Sequence, residues 1–288
     1  TLAWHFEAAR RPLKAVDYLL RAGQQAYRLS APDEAINLYR HGLELLDPLP
    51  SSDTRDRLEL DLQMNLDPPL LVSQGWGAPE RSEVLERAHA LARQLGDTER
   101  LLIILYTLAD LCTAQAKHRQ ALAYADQLLA LAQKAGDRVY EALGCRMVGT
   151  AHFFLGNFRA AREHLEDGLT CYADVTREAL SPEKAASVER AVFLWAWLPH
   201  TLLVLGYPEQ ASARSREALE RVRPHGPAHT QAIMLMAAGV SFNAMAWQPR
   251  AALRYAQELL TLATEYDLAA FRGWATFYRG WARATMGQ

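Results

Sequence analysis

The 288-residue chain is poor in β-branched aliphatics, with 11 Val and four Ile. Central strands draw on those residues, and 15 of them cannot furnish a sheet that organises a chain of this length. β architectures are thereby excluded. Lysine is nearly absent, with four (Lys14, Lys117, Lys134, Lys184) against 27 Arg. These follow Leu13, Ala116, Gln133 and Glu183, so the Gly-Lys pair that a phosphate-binding loop needs is missing. The three cysteines, Cys112, Cys145 and Cys171, show no CxxC or paired spacing, the usage of a reduced intracellular chain. No stretch of about 18 uninterrupted apolar residues occurs, and Thr1-Leu-Ala-Trp-His-Phe-Glu lacks a charged region followed by an apolar run. A cytoplasmic location is expected, and no membrane partner. A net charge of -2 gives no long-range field to attract nucleic acid. No nucleic-acid partner is expected either.

Alanine and leucine are abundant. There are 49 Ala and 45 Leu, about a third of the chain, and both are strong helix formers. Half of all residues are apolar, enough for a large core. An all-α protein follows. The first residues have the pattern of a helix interior and no initiator Met precedes them, so the chain reads as a piece of a larger protein.

Internal repetition is the strongest signal. Leu91-Ala-Arg-Gln-Leu-Gly96-Asp97 and Leu131-Ala-Gln-Lys-Ala-Gly136-Asp137 are alike and 40 residues apart, and Leu262-Ala-Thr-Glu-Tyr-Asp267 repeats the idea without the glycine. Gly96 and Gly136 stand where a left-handed cap closes one helix, and Asp97 and Asp137 where a side chain caps the next. A second mark is an Ala three residues after a helix start, at Ala15, Ala35, Ala121, Ala161, Ala211 and Ala252, several of them after a proline in the first turn. Such alanines allow close helix crossings.

These signals predict helices over 2–9, 13–29, 32–46, 54–66, 79–95, 98–115, 118–135, 138–155, 158–172, 183–205, 208–222, 228–246, 249–265 and 268–286. Thirteen or fourteen helices form one repeat array over 1–288, with an irregular break at 67–78 where Pro68, Pro69, Gly75 and Gly77 interrupt the pattern. Residues 173–182 read as a polar connection and Arg223-Pro-His-Gly-Pro227 as a sharp turn. The last helix has the look of a first helix whose partner follows Gly287.

In Val148-Gly149-Thr-Ala-His-Phe153-Phe-Leu-Gly156-Asn-Phe158-Arg-Ala-Ala161, and in Leu19-Leu-Arg-Ala22-Gly23 with Ala35-Ile-Asn-Leu-Tyr39, the order of small, aromatic and turn residues resembles the tetratricopeptide repeat (TPR). Pro199 departs from it at the small-residue place. Val16-Asp-Tyr-Leu-Leu-Arg-Ala-Gly-Gln-Gln-Ala, Leu205-Gly-Tyr-Pro-Glu-Gln-Ala and Arg279-Gly-Trp-Ala-Arg-Ala-Thr-Met-Gly-Gln288 are similar to the C-terminal repeat region of bacterial multidomain AAA or STAND-type signal-transduction ATPases, often with a class III adenylate or guanylate cyclase domain. The resemblance implies a right-handed α-solenoid of about six hairpins. It also implies a scaffold that senses a protein, peptide or inducer and controls an attached N-terminal NTPase or cyclase.

The residues offer no catalytic constellation. His225 and His229 are separated by Gly226 and Pro227, Cys145 and His152 lie two turns apart on one helix, and no Gly-x-Ser-x-Gly elbow occurs. No enzyme activity, cofactor or metal is expected. The repeat register places a concave groove on the first helix of each hairpin, at Tyr106, Asp110, Arg146, Thr150, Phe153, His200, Ser241, Phe277 and Trp281. Lysine occupies none of these places, which argues against a clamp for the carboxylate of a chaperone tail. A protein or peptide partner in the groove is the expectation, and a small-molecule sensor with an enclosed aromatic pocket is the alternative. Trp195 and Trp197, two apart on one helix, point to opposite sides, so at most one faces a core seam fully.

Overall fold

The computed structural model describes residues 2–175, 193–222 and 227–288. All regular structure in them is helical: α1 Leu2–Ala8, α2 Pro12–Arg28, α3 Pro32–Leu46, α4 Asp53–Gln74, α5 Pro79–Leu95, α6 Thr98–Ala114, α7 His118–Ala135, α8 Arg138–Phe154 and α9 Phe158–Ala173. There follow α10 Phe193–Val204, α11 Pro208–Val222, α12, α13 Pro249–Glu265 and α14 Ala269–Thr285. Helix α12 is a composite of Ala228–Met234, a π turn over Leu235–Ser241, and Phe242–Met245. The expected connection at 173–182 lies outside the described residues beyond Val175, as do the turn from Arg223 to Gly226 and the expected helical start at 183–192.

The chain divides into two compact units, Thr1–Leu131 and Ala132–Gln288. In the first, successive helices from α1 to α6 pack on each other and α2 also touches α4. The second unit repeats the scheme more regularly. Helix α8 pairs with α9, α10 with α11, and α12 with α13, while α8 also meets α10, α10 meets α12, and α12 meets α14. Alternate helices therefore share a face. The fold class is the expected all-α, TPR-like α-solenoid type.

Local chemistry explains the turns. Gly96 and Gly136 both adopt φ +65, the left-handed region in which a Cβ would be strained. The Asp97 carboxylate accepts from Arg100 N at 3.2 Å, and that of Asp137 accepts from Val139 N at 3.1 Å and Tyr140 N at 3.3 Å. Asp267 is the left-handed residue before α14, and at the remaining hairpin turns it is Arg10, Ser30, Ala116, Gly156, Gly206 or Trp247. Five residues after each of these last six stands one of the recurrent alanines. Ala15, Ala35, Ala121, Ala161, Ala211 and Ala252 are all fully buried, as their place at helix crossings requires.

Two features differ from the expectation. The helix predicted for 54–66 continues through Pro68 and Pro69 to Gln74, and the interruption falls at Gly75, where φ is +95. Proline lacks an N–H but its fixed φ is helical, and the buried row of Leu62, Leu66, Pro69 and Leu70 carries the helix past the two missing hydrogen bonds. The second difference is the π turn of α12. Gly23 precedes its left-handed turn residue Ser30 by seven positions and Gly149 precedes Gly156 by seven, whereas Gly239 precedes Trp247 by eight. One extra residue enters the helix, and an i→i+5 turn absorbs it without shifting the packed faces on either side.

Candidate binding face on α8, α10 and α12

Helix α8 carries Arg146, Thr150 and Phe153 at i, i+4 and i+7, so they follow one face. α10 brings Trp197 and His200 beside that face, and the π turn brings Ser241. The Phe153 ring lies 5.3 Å from that of Trp197 and 6.5 Å from that of His200, centroid to centroid. Trp197 also meets Phe154 at 5.1 Å and His200 at 5.6 Å. Phe242, fully enclosed, closes the back of the cluster 5.9 Å from His200.

His200 is 4 % exposed. Its Nδ1 lies 2.8 Å from the Ala196 carbonyl, which requires a proton on that nitrogen. In the neutral ring Nε2 is then the acceptor for the Ser241 hydroxyl at 3.3 Å. Burial pushes the imidazole pKa below the ordinary histidine value, and the hydrogen bond to Ala196 offsets only part of that. Between the lowered native pKa and about 6.5 the unfolded chain holds more protons than the folded one. Stability therefore falls as pH drops below about 6.5. Acid titration of thermal melts should show a steeper loss for the native protein than for His200→Gln, and parallel curves would remove His200 as the cause.

Arg146 is 3 % exposed, with its guanidinium 4.9 Å over the Phe193 ring and one nitrogen 2.8 Å from Met147 Sδ. Thr150 is 2 % exposed. The nine groove positions thus fall into different environments. Tyr106, Arg146, Thr150 and His200 are interior, whereas Asp110, Phe153, Ser241 and Trp281 are half-buried. Phe277 is 68 % exposed. Tyr106 and Asp110 belong to α6 in the first unit and the other seven to the second. Phe153, His200 and Ser241 come together, while Phe277 and Trp281 sit on α14, with Trp281 edge-on to Trp247 at 5.9 Å.

Trp197 and Phe193 were missed as members of the face. The signal for Trp197 lay in its separation from Trp195: Trp195 is buried edge-on to Tyr172 at 4.8 Å, and Trp197 turns to the opposite side as two-residue helical spacing demands. Of the histidines considered for chemistry, His152 stacks on His164 at 5.8 Å and His229 meets Phe271 at 5.3 Å. His225 lies outside the described residues. Among the described residues no group of three or more His, Cys, Asp or Glu gathers to hold a metal, and no helix is long and apolar enough to cross a membrane.

Alternating helix contacts, left-handed turn residues and buried alanines five positions on define a TPR-like helical-repeat protein. No family model and no curated protein matches the chain. Among solved structures it is similar to the apo form of RapI, at 12 % identity and TM-score 0.63 over 94 % of this chain and 98 % of that one. It is also similar to PH0952 from Pyrococcus horikoshii, a Signal Transduction ATPase with Numerous Domains (STAND) protein with a tetratricopeptide repeat sensor. There the identity is 11 % and the TM-score 0.64, over 93 % of this chain and 39 % of that longer one. A third similar structure is NprR in complex with its cognate peptide NprX, at 10 % identity and TM-score 0.55 over 96 % of this chain and 78 % of that one. At these identities the likeness is one of fold.

Proposed function

We propose that the chain, a single TPR-like array over 1–288, is a non-catalytic recognition and regulatory scaffold. It binds a protein or peptide on the α8–α10–α12 face and passes that occupancy to an attached NTPase or cyclase in the cytoplasm. The observation that carries this reading is the Phe153–Phe154–Trp197 cluster, aromatic, partly open and set on packed helices. Rigid aromatic surface gives large contact area at low entropic cost, which is the chemistry of interface hot spots. Support by analogy comes from NprR, which is similar in fold and holds a peptide, and from PH0952, whose repeats are described as a sensor of a STAND ATPase. The alternative, a small-molecule sensor, draws on the same aromatics.

The test is affinity selection of a displayed library of random 12-residue peptides on the native chain and on Phe153→Ala, with circular dichroism confirming that both are folded. Peptides enriched on the native chain and weakened at least tenfold by the substitution are expected. Enrichment that ignores Phe153 would contradict the face. Thermal stabilisation by metabolites with no peptide enrichment would favour the alternative, because a ligand selective for the folded state raises the melting temperature by mass action.

A further inference from the structure

The same face has an uncommon charge content. Phe193–Val204 of α10 contains no Asp, Glu, Lys or Arg, and neither does the whole of α12 across its π turn. Helix α8 has three charged side chains. Arg138 and Glu141 pair with each other at 2.6 Å at its start, away from the aromatic end. Arg146 is the third, and at 3 % exposure its guanidinium lies over the Phe193 ring and is closed to a ligand. His200 is enclosed and hydrogen-bonded through both nitrogens. Among the described residues, the exposed side chains near the C-terminal ends of these helices are apolar: Phe154 is 42 % exposed, Val204 43 % and Met245 42 %, each two residues before the left-handed turn that ends its helix. The three equivalent positions of α8, α10 and α12 are thus all apolar and all accessible.

We infer that this face is built for a neutral, apolar peptide segment, anchored by aliphatic or aromatic side chains against Phe153, Phe154 and Trp197. This rests on the peptide-binding reading above and adds the chemical class of the ligand. Complementarity in charge is the argument. A carboxylate or ammonium placed on this face would lose hydration and find no counter-charge among the described residues of α8, α10 and α12, and a desolvated unpaired charge is strongly penalised. An apolar side chain loses only its unfavourable contact with water. The surface therefore selects by rejecting charge. Binding carried by apolar contact also lacks the salt dependence of charge-steered association.

The experiment uses the full chain and the peptides recovered by library selection. Their affinities are measured by fluorescence anisotropy at 50 mM and 500 mM NaCl, for each peptide and for versions with Asp replacing each apolar residue in turn. Recovered peptides should carry an uncharged apolar core, change affinity less than twofold with salt, and lose at least thirtyfold when Asp replaces an anchor. Phe154→Asp, at an already exposed position that leaves the core intact, should abolish binding of the same peptides. Recovered peptides with a charged consensus and a tenfold or greater loss at high salt would overturn the neutral-ligand inference while leaving peptide binding in place. Recovery of no peptide that distinguishes the native chain from both Phe153→Ala and Phe154→Asp would overturn the underlying reading along with it.

Discussion

Gly23→Ala and Gly149→Ala are each expected to lower unfolding free energy by about 2–3 kcal/mol, whereas Gly280→Ala should leave it unchanged or slightly raised. A Cβ at Gly23 would stand 2.3 Å from Cε1 of the enclosed Tyr39 ring. A Cβ at Gly149 would stand 2.7 Å from Leu165 Cγ and 3.1 Å from the Ala161 carbonyl oxygen. Tyr39 and Leu165 are buried, so neither can swing aside, and the paired helices must separate. Gly280 occupies the same register, seven residues before the left-handed Gly287, but a Cβ there meets nothing within 4 Å. The three substitutions make the same chemical change at equivalent positions and differ in whether a buried neighbouring side chain meets the added Cβ. Denaturant melts of the three variants check the register, and equal midpoints would contradict it.

Asp67→Ala is expected to cost about 3–5 kcal/mol in the first unit. Its carboxylate receives Arg81 through two hydrogen bonds, Nε to Oδ1 at 2.7 Å and Nη2 to Oδ2 at 3.1 Å, with the two side chains 10 % and 4 % exposed. Arg81 Nη1 donates in turn to the Trp76 carbonyl at 2.6 Å, tying the 75–78 loop to both flanking helices. Removing the carboxylate leaves a buried guanidinium with one of its two anchors, which is worse than removing both ions. The double variant Asp67→Leu with Arg81→Met should therefore be more stable than Asp67→Ala alone. Chemical denaturation of the pair checks this, and a double variant no better than the single one would show that the ion pair is not what holds the loop.

Most helix boundaries were legible because their signals are local. Pro12, Pro32, Pro79, Pro208 and Pro249 mark starts through fixed φ, Gly96 and Gly136 mark ends through positive φ, and Asp97 and Asp137 mark caps. Left-handed Arg10, Ser30, Ala116 and Trp247 were not legible by composition, since none is a residue type that favours positive φ. The continuation of α4 through Pro68 and Pro69 was hidden because local propensity lost to a buried leucine row. The π turn was visible in principle as an eight-residue spacing where other repeats have seven. The candidate face was only half legible. Helical periodicity assigns Arg146, Thr150, Phe153, His200 and Ser241 to the correct helices. Whether a position on that face is open depends on side chains one hairpin away, such as Phe193 over Arg146, and no single helix encodes that.

The function we propose for this chain is peptide occupancy of the α8–α10–α12 face. Hydrogen–deuterium exchange with a selected peptide bound tests it most directly. New protection is expected in the helical turns around Phe153 of α8, Trp197 of α10 and Ser241 of α12, with α4 and α5 unchanged. Protection confined to other helices, with those three turns exchanging as in the free chain, would contradict it.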